Sequence, residues 1–228
     1  QGYEGVIIQI YKQMNRVEIT ENEIHAQAGA LLSVIANRAM EAELTGFEFA
    51  AGIPGTLGGA CVMNAGAYGG EMKDVLETVT VLTRDGDVKT LTKDELELGY
   101  RTSVIAKKDY IALSAVIRLE NGKKEEIKAV MDDLKEKRIT KQPLEYPSAG
   151  STFKRPEGYF AGKLIQDAGL RGFQVGGAQV SEKHCGFVVN KDQATAADVM
   201  NLMNQVSDKV YEMSGVRLEP EVKRLGVF

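Results

Sequence analysis

The 228-residue sequence predicts an α+β fold, because hairpin-like strand pairs and amphipathic helices occur in irregular alternation and a proline-rich stretch splits the pattern in two. β-Branched and apolar residues from Val6 to Tyr11 and from Arg16 to Thr20 flank a polar turn at Lys12 to Asn15, which reads as a hairpin. A strand from Ile24 to Ala28 ends at Gly29. Residues 30 to 44 then place Leu31, Val34, Ile35, Ala39 and Leu44 at mostly helical spacing. Strands resume at Val75 to Thr83 and Val88 to Leu91 around an Asp85-Gly86 turn, since Asp-Gly accepts the positive φ of a tight hairpin. Thr92 and Glu95 have capping-box spacing and predict a short helix. Tyr110 to Leu119 is a nearly continuous apolar strand, and residues 123 to 140 carry Ile127, Val130, Met131 and Leu134 on one face of a charged helix.

Lys141 to Gly158 holds three of the five prolines and reads as a loop and domain boundary. Beyond it the pattern gives a short helix from Tyr159, a strand over Phe187 to Asn190, a helix over 196 to 214 stopped by Gly215, and a closing strand from Val216 to Leu225.

Composition narrows the function. A net charge of -4 and a pI near 5.4 offer no basic face to a phosphate backbone, which argues against a nucleic-acid partner. The apolar runs are strand-sized, so no membrane span is expected. Cys61 and Cys185 lack the paired spacing of a zinc site or disulfide framework, so no metal is expected and the cytoplasm is the expected location. Gln1 is followed almost at once by the strand-like Val6-Ile7-Ile8-Gln9-Ile10, so the chain is expected to open inside a fold.

The strongest chemical signal is Gly52 to Gly70, with glycine at 52, 55, 58, 59, 66, 69 and 70. Missing Cβ atoms let amide groups converge on an anion, so a phosphate or pyrophosphate is the natural occupant, with ordinary tight turns as the alternative. No lysine lies between Gly52 and Glu71, which disfavours a P-loop. A dinucleotide fingerprint would open a helix directly after a strand, whereas this stretch carries Pro54 and is expected to continue irregularly.

This string resembles the flavin-pyrophosphate loop of the UDP-N-acetylenolpyruvoylglucosamine reductase (MurB) family, within the vanillyl-alcohol-oxidase type of FAD-binding fold. Three further segments match that family in order: Gly99-Tyr100-Arg101-Thr102-Ser103, Ala149-Gly150-Ser151-Thr152-Phe153-Lys154, and Leu218-Glu219-Pro220-Glu221-Val222-Lys223. The resemblance implies hydride transfer from NADPH through FAD to the enolpyruvyl group of a UDP-sugar, in peptidoglycan precursor synthesis. It implies cofactor contacts at Gly52, Ile53, Pro54, Gly55, Thr56, Gly58, Gly59, Ala60, Asn64 and Gly66. It assigns proton donation to Ser151, with Arg101 and Glu221 serving the intermediate, Arg101 as a permanent cation and Glu221 as an acid. Glu219 and Glu221 alternate onto one face of the expected strand, so only motif register separates them. Lys141, Arg155, Arg171 and His184 match substrate-binding positions.

Glu120-Asn121-Gly122 passes straight into a helix, without the inserted loop of the larger subtype, so the chain resembles the smaller one. The family's N-terminal lobe, which holds the adenosine side of FAD, is not matched, and loose FAD binding is expected. The predicted organisation is an FAD-binding domain of residues 1 to 142 with 216 to 228, and a small α+β substrate domain of residues 143 to 215, with the active site between them. Two other readings compete: an FAD oxidase of the same fold, and a non-catalytic UDP-sugar-binding module.

Overall fold

The structure, a computed structural model, describes residues 2–226. It divides into two compact units, residues 7–138 and residues 2–6 with 139–226. Residues 2–6, 139–142 and 216–226, all expected in the FAD-binding domain, group with the second unit, and residues 1, 227 and 228 lie outside the described residues.

The first unit contains β1 (Val17–Thr20), β2 (Glu23–Gln27), α1 (Leu32–Glu41), β3 (Leu44–Thr45), α2 (Leu57–Met63), β4 (Gly66–Ala67), β5 (Gly70–Glu71), α3 (Met72–Val75), β6 (Leu76–Leu82), β7 (Val88–Thr92), α4 (Val104–Lys107), β8 (Ile111–Arg118), β9 (Glu120–Asn121) and all but the last three residues of α5 (Lys124–Lys141). Its main sheet is antiparallel in the order β1-β2-β8-β6-β7. Ile24, Ala26, Leu76, Val79, Val81, Ala115 and Ile117 turn inward from the strands and meet Leu32, Ile35, Ala36 and Ala39 from one face of α1. Period-2 burial on the strands and helical spacing on α1 thus supply the two halves of one core.

The second unit contains β10 (Ser148–Ser151), α6 (Ala161–Asp167), β11 (Gln174–Val175), β12 (Ala178–Val180), β13 (Phe187–Asn190) and α7 (Ala196–Ser214), with sheet order β10-β13-β12-β11. Helix α7 lays Leu202, Met203, Val206 and Val210 into a core with Val180, Val188, Ile165 and Phe153. It ends as expected at Gly215, whose φ of 71° is the left-handed cap that favours glycine.

Five expectations are corrected. The segment from Val6 to Tyr11 forms no ladder and its Val6, Ile7 and Ile8 are exposed; β1 pairs instead with β2 through a turn at Glu21-Asn22. The Thr92–Glu95 side-chain bonds form, at 2.8 and 2.9 Å, but the chain turns without a helix, and Glu97 takes a φ of 45° that interrupts helical geometry. The stretch from Val216 to Leu225 holds a single bridge, Phe153 to Pro220, and no strand, since Thr152 N–H, the next donor in that register, bonds to the Gly186 carbonyl instead. The Lys141 to Gly158 stretch is not all loop, since it contains β10, and the glycine-rich stretch is not irregular, since it contains α2 and a β4-β5 hairpin.

The capping box of α7 gives a direct stability test. Asp198 N–H donates to Thr195 Oγ1 at 3.1 Å and Thr195 N–H to Asp198 Oδ2 at 2.9 Å; that Thr195 N–H, and after it the Thr195 hydroxyl, hold the Asp198 carboxyl below its ordinary pKa. Thr195→Ala is expected to lower stability by about 1 kcal/mol in urea unfolding at neutral pH. The difference should shrink in acid, because a lowered carboxyl pKa contributes stability above its unfolded value and loses it as pH falls through the folded one. An unchanged midpoint at neutral pH contradicts the cap.

Candidate active site

The glycine-rich stretch separates into glycines that pack and glycines that face open space. Helix α2 sits on the end of β2, with Leu57 N–H donating to the Ala30 carbonyl and Gly58 N–H to the Ala28 carbonyl, both at 2.9 Å. A Cβ on Gly58 would stand 2.9 Å from the Ala28 Cβ, so this approach requires glycine. Gly66 and Gly70 are packing glycines too: added Cβ atoms would meet the Gly70 carbonyl at 2.8 Å and the Phe49 ring at 2.7 Å respectively. Between them, Tyr68 and Gly69 take φ of 52° and 93°, the two positive values of a type I′ hairpin turn. Gly52 lies against Arg138, whose Nε is 2.7 Å from the position of an added Cβ.

Gly55 and Gly59 differ, since an added Cβ would meet nothing within 4 Å at either. Gly55 precedes Thr56, the extended residue before α2, and Gly59 lies in the first turn of α2, so both leave uncovered backbone near a helix start whose Leu57 and Gly58 N–H groups are bonded to the sheet. Pro54 is exposed and Ile53 half-buried, whereas Ala60 is buried and offers only its backbone.

Asn64, also expected at the cofactor, has its amide committed within the protein. Left-handed at φ 43°, it caps the end of α2; its Nδ2 donates to Glu71 Oε2 at 2.7 Å and to the Gly99 carbonyl at 3.1 Å, and its Oδ1 accepts from Lys73 N–H at 2.8 Å. Ser103 makes a second tie, donating to the Val62 carbonyl at 2.8 Å. Together they pin the tight turn of Gly99 to Thr102 against the end of α2. Arg101 occupies that turn with a φ of 52° and its guanidinium 5.2 Å from the Tyr100 ring centre. A non-glycine residue held left-handed stores strain of about 1 kcal/mol or more, which persists only where neighbours fix it.

In the second unit the two remaining motifs lie side by side. Glu221 N–H donates to the Thr152 carbonyl and Lys154 N–H to the Glu219 carbonyl, both at 2.8 Å, around the Phe153–Pro220 bridge. Strand β10 carries an extra residue between its pairings Ser148 to Val189 and Ser151 to Phe187, with Gly150 at φ 84° inside that irregularity. Bulges of this kind re-aim a side chain, and Ser151 emerges exposed. The structure also separates the two glutamates: Glu219 is paired with Lys154 Nζ at 3.0 Å and highly exposed, while Glu221 is half-buried beside Thr152.

Three of the expected substrate residues border α6. Arg155 stacks its guanidinium 4.0 Å from the Phe160 ring centre and donates to the Tyr159 carbonyl at 3.3 Å. Arg171 donates to Gln166 Oε1 at 2.6 Å and to the Glu182 carbonyl. His184 lies edge-on to Phe187, and its Nδ1 accepts from Gly186 N–H at 3.0 Å, so a neutral ring carries its proton on Nε2. Burial, and after it the Arg171 charge, pushes its pKa below 6.5 against a raising backbone bond. Lys141 is the exposed last residue of α5, and Arg101 belongs to the first unit. The reading of the sequence missed Thr152 and Asn64 as connecting groups; a buried polar residue is signalled only by its partners, which no spacing rule reveals.

Cys61 is buried in the core with its thiol pushed up to about 12, too weak an acid for chemistry at neutral pH. Among the described residues, no group of three or more His, Cys, Asp or Glu could hold a metal ion, and no helix is long and apolar enough to cross a membrane.

Comparison with known proteins fits this geometry. Residues 1–92 match the profile of an FAD binding domain, and residues 142–225 match UDP-N-acetylenolpyruvoylglucosamine reductase, C-terminal domain. The chain is therefore of the FAD-binding class. It is 59% identical to the UDP-N-acetylenolpyruvoylglucosamine reductase of Agathobacter rectalis, covering 100% of this chain and 76% of that protein. It is 56% identical to that of Clostridioides difficile, covering 99% and 74%. The crystal structure of UDP-N-acetylenolpyruvylglucosamine reductase (MurB) from Thermus caldophilus superposes with a TM-score of 0.77 at 38% identity, covering 88% of this chain and 72% of that one. The chain belongs to the UDP-N-acetylenolpyruvoylglucosamine reductase family.

Two measurements test the site's construction. Gly58→Ala is expected to destabilise the protein by about 1–3 kcal/mol through overpacking, while Gly59→Ala, in open space, should be neutral or stabilising by up to about 1 kcal/mol. Equal stability of the two variants in thermal unfolding contradicts the packing assignment. NMR titration of His184 should give a pKa below about 6.5. Because the folded value is the lower one, the unfolded chain takes up the proton first, and acidification through that window destabilises the fold. A measured value at or above 6.5 contradicts the burial seen here.

Proposed function

We propose that this protein reduces the enolpyruvyl double bond of UDP-N-acetylglucosamine enolpyruvate with NADPH, giving UDP-N-acetylmuramate for peptidoglycan precursor synthesis in the cytoplasm. The observation that carries this reading is the Glu221 N–H to Thr152 carbonyl bond of 2.8 Å, which sets the Ser151 and Glu221 motifs side by side. The first unit is assigned to FAD and residues 143 to 215 to the UDP-sugar.

Bound FAD would supply the hydride transfer from NADPH to C3 of the enolpyruvyl group. The open backbone at Gly55 and Gly59, at the start of α2, suits its pyrophosphate, because no side chain fills that space and the main chain can approach a phosphate closely there. Gly52, Ile53, Pro54, Thr56, Gly58, Ala60, Asn64 and Gly66 shape that cradle, several of them through the packing contacts already described.

The chain's own groups handle charge and proton. Hydride arrival at C3 leaves negative charge on C2 and its carboxylate, which the Arg101 guanidinium stabilises as a permanent cation. Ser151 gives its hydroxyl proton to C2, completing addition of one hydride and one proton across the double bond. The resulting alkoxide is reprotonated by the Glu221 carboxyl, which recovers its proton from solvent. Arg155 and Arg171 suit the diphosphate by charge, with His184 and Lys141 completing the substrate contacts.

Rapid mixing of FAD-loaded Ser151→Ala tests this division of labour. Reduction by NADPH should be near normal, and reoxidation by enolpyruvyl substrate slowed by at least the ~10² to 10⁴ of a lost general acid. Normal reoxidation, or failure at reduction instead, removes Ser151 from the proton-transfer step.

A further inference from the structure

Thr152 is flanked by the exposed Ser151 and the buried Phe153, and is itself buried to 3% exposure. All three of its polar main-chain and side-chain positions are bonded to different parts of the second unit. Its N–H donates to the Gly186 carbonyl at 2.9 Å, its carbonyl accepts from Glu221 N–H at 2.8 Å, and its Oγ1 accepts from Val188 N–H at 2.9 Å. Gly186 in turn donates to His184 Nδ1 at 3.0 Å. One residue therefore ties together the backbone of the serine, the glutamate and the histidine singled out above.

The hydroxyl is the part of this junction that the sequence can change. Both main-chain bonds survive any substitution, but the Val188 N–H lies in β13, the strand that pairs with the bulged β10, and only a side-chain acceptor at 152 reaches it there. A β-bulge leaves its ladder locally broken, so the hydroxyl replaces a main-chain acceptor that the bulge removes. We infer that Thr152 is the positioning residue of the proton-transfer step, its Oγ1 bond to Val188 N–H setting the bulge so that the Ser151 hydroxyl and the Glu221 carboxyl meet the same carbon. This rests on the reading of Ser151 as proton donor.

The test uses FAD-loaded full chains carrying Thr152→Val, which keeps shape and removes the acceptor, and Thr152→Ser, which keeps the acceptor. Thr152→Val should leave reduction by NADPH and calorimetric affinity for the UDP-substrate near normal, and slow reoxidation by about 10²-fold, the cost of a misplacement near 1 Å. Thr152→Ser should restore reoxidation to within about threefold of the parent, and adding Thr152→Val to Ser151→Ala should cost less than about threefold more, because coupled groups are not additive. If Thr152→Val does not fold, Thr152→Cys, with a weaker acceptor at the same place, carries the same expected split between half-reactions. Normal reoxidation of Thr152→Val beside a crippled Ser151→Ala overturns the positioning role alone. Equal slowing of both half-reactions overturns it in favour of a purely structural role, and normal reoxidation of Ser151→Ala overturns the catalytic reading beneath it.

Discussion

The short crossing of two segments at Thr152 and Glu221 is the constraint on which the proposed chemistry depends. A main-chain bond of 2.8 Å there, with its counterpart from Lys154 to Glu219, joins positions almost seventy residues apart without a full strand. The contact stays local because Thr152 N–H, the next donor in that register, bonds to the Gly186 carbonyl instead of returning to Glu221. The result is a rigid junction with Phe153 and Leu218 packed into the core beneath it and two polar side chains, Ser151 and Glu221, left at the surface side of that core. Side chains held on packed backbone, rather than on free loop, keep the fixed geometry that the proposed proton transfer requires.

The first unit applies a related rule to a different end. Its glycines do not act as a group: Gly58, Gly66 and Gly70 are required because backbone and ring atoms stand where a Cβ would go, while Gly55 and Gly59 leave space unfilled. Close packing brings α2 down onto the strand end and leaves the open pair uncovered beside it. Asn64 and Ser103 then carry the position of α2 to the Arg101 turn. Helix α2 and the Arg101 turn are thus parts of one hydrogen-bonded piece.

Much of this was legible in the sequence. The α+β class, the helix over 196 to 214 with its Gly215 cap, and the strands around Asp85-Gly86 and at Phe187 to Asn190 follow from periodicity and turn chemistry, which are local properties. The failures are equally instructive. Val6 to Ile10 has strand composition but no ladder partner among the described residues, and β-propensity without a pairing surface does not make a strand. Helix α2 escaped notice because Gly58 and Gly59 lower its propensity, and packing on the sheet overrides that. The choice of Glu221 over Glu219 could be made only by motif register; in space, the Lys154 ion pair occupies Glu219. Thr152 carried no signal at all, since a buried hydroxyl matters through a partner 36 positions away.

Cooperation of Ser151 and Glu221 in one proton transfer is the central claim, and a double-mutant cycle on reoxidation by the enolpyruvyl substrate tests it most directly. Ser151→Ala, Glu221→Gln and the double variant, each FAD-loaded, are compared with the parent in single-turnover rapid mixing. The account predicts that the double variant loses much less than the product of the two single losses, because both groups serve the same step. Losses that multiply, or a Glu221→Gln protein that reoxidises at the parental rate, would contradict it.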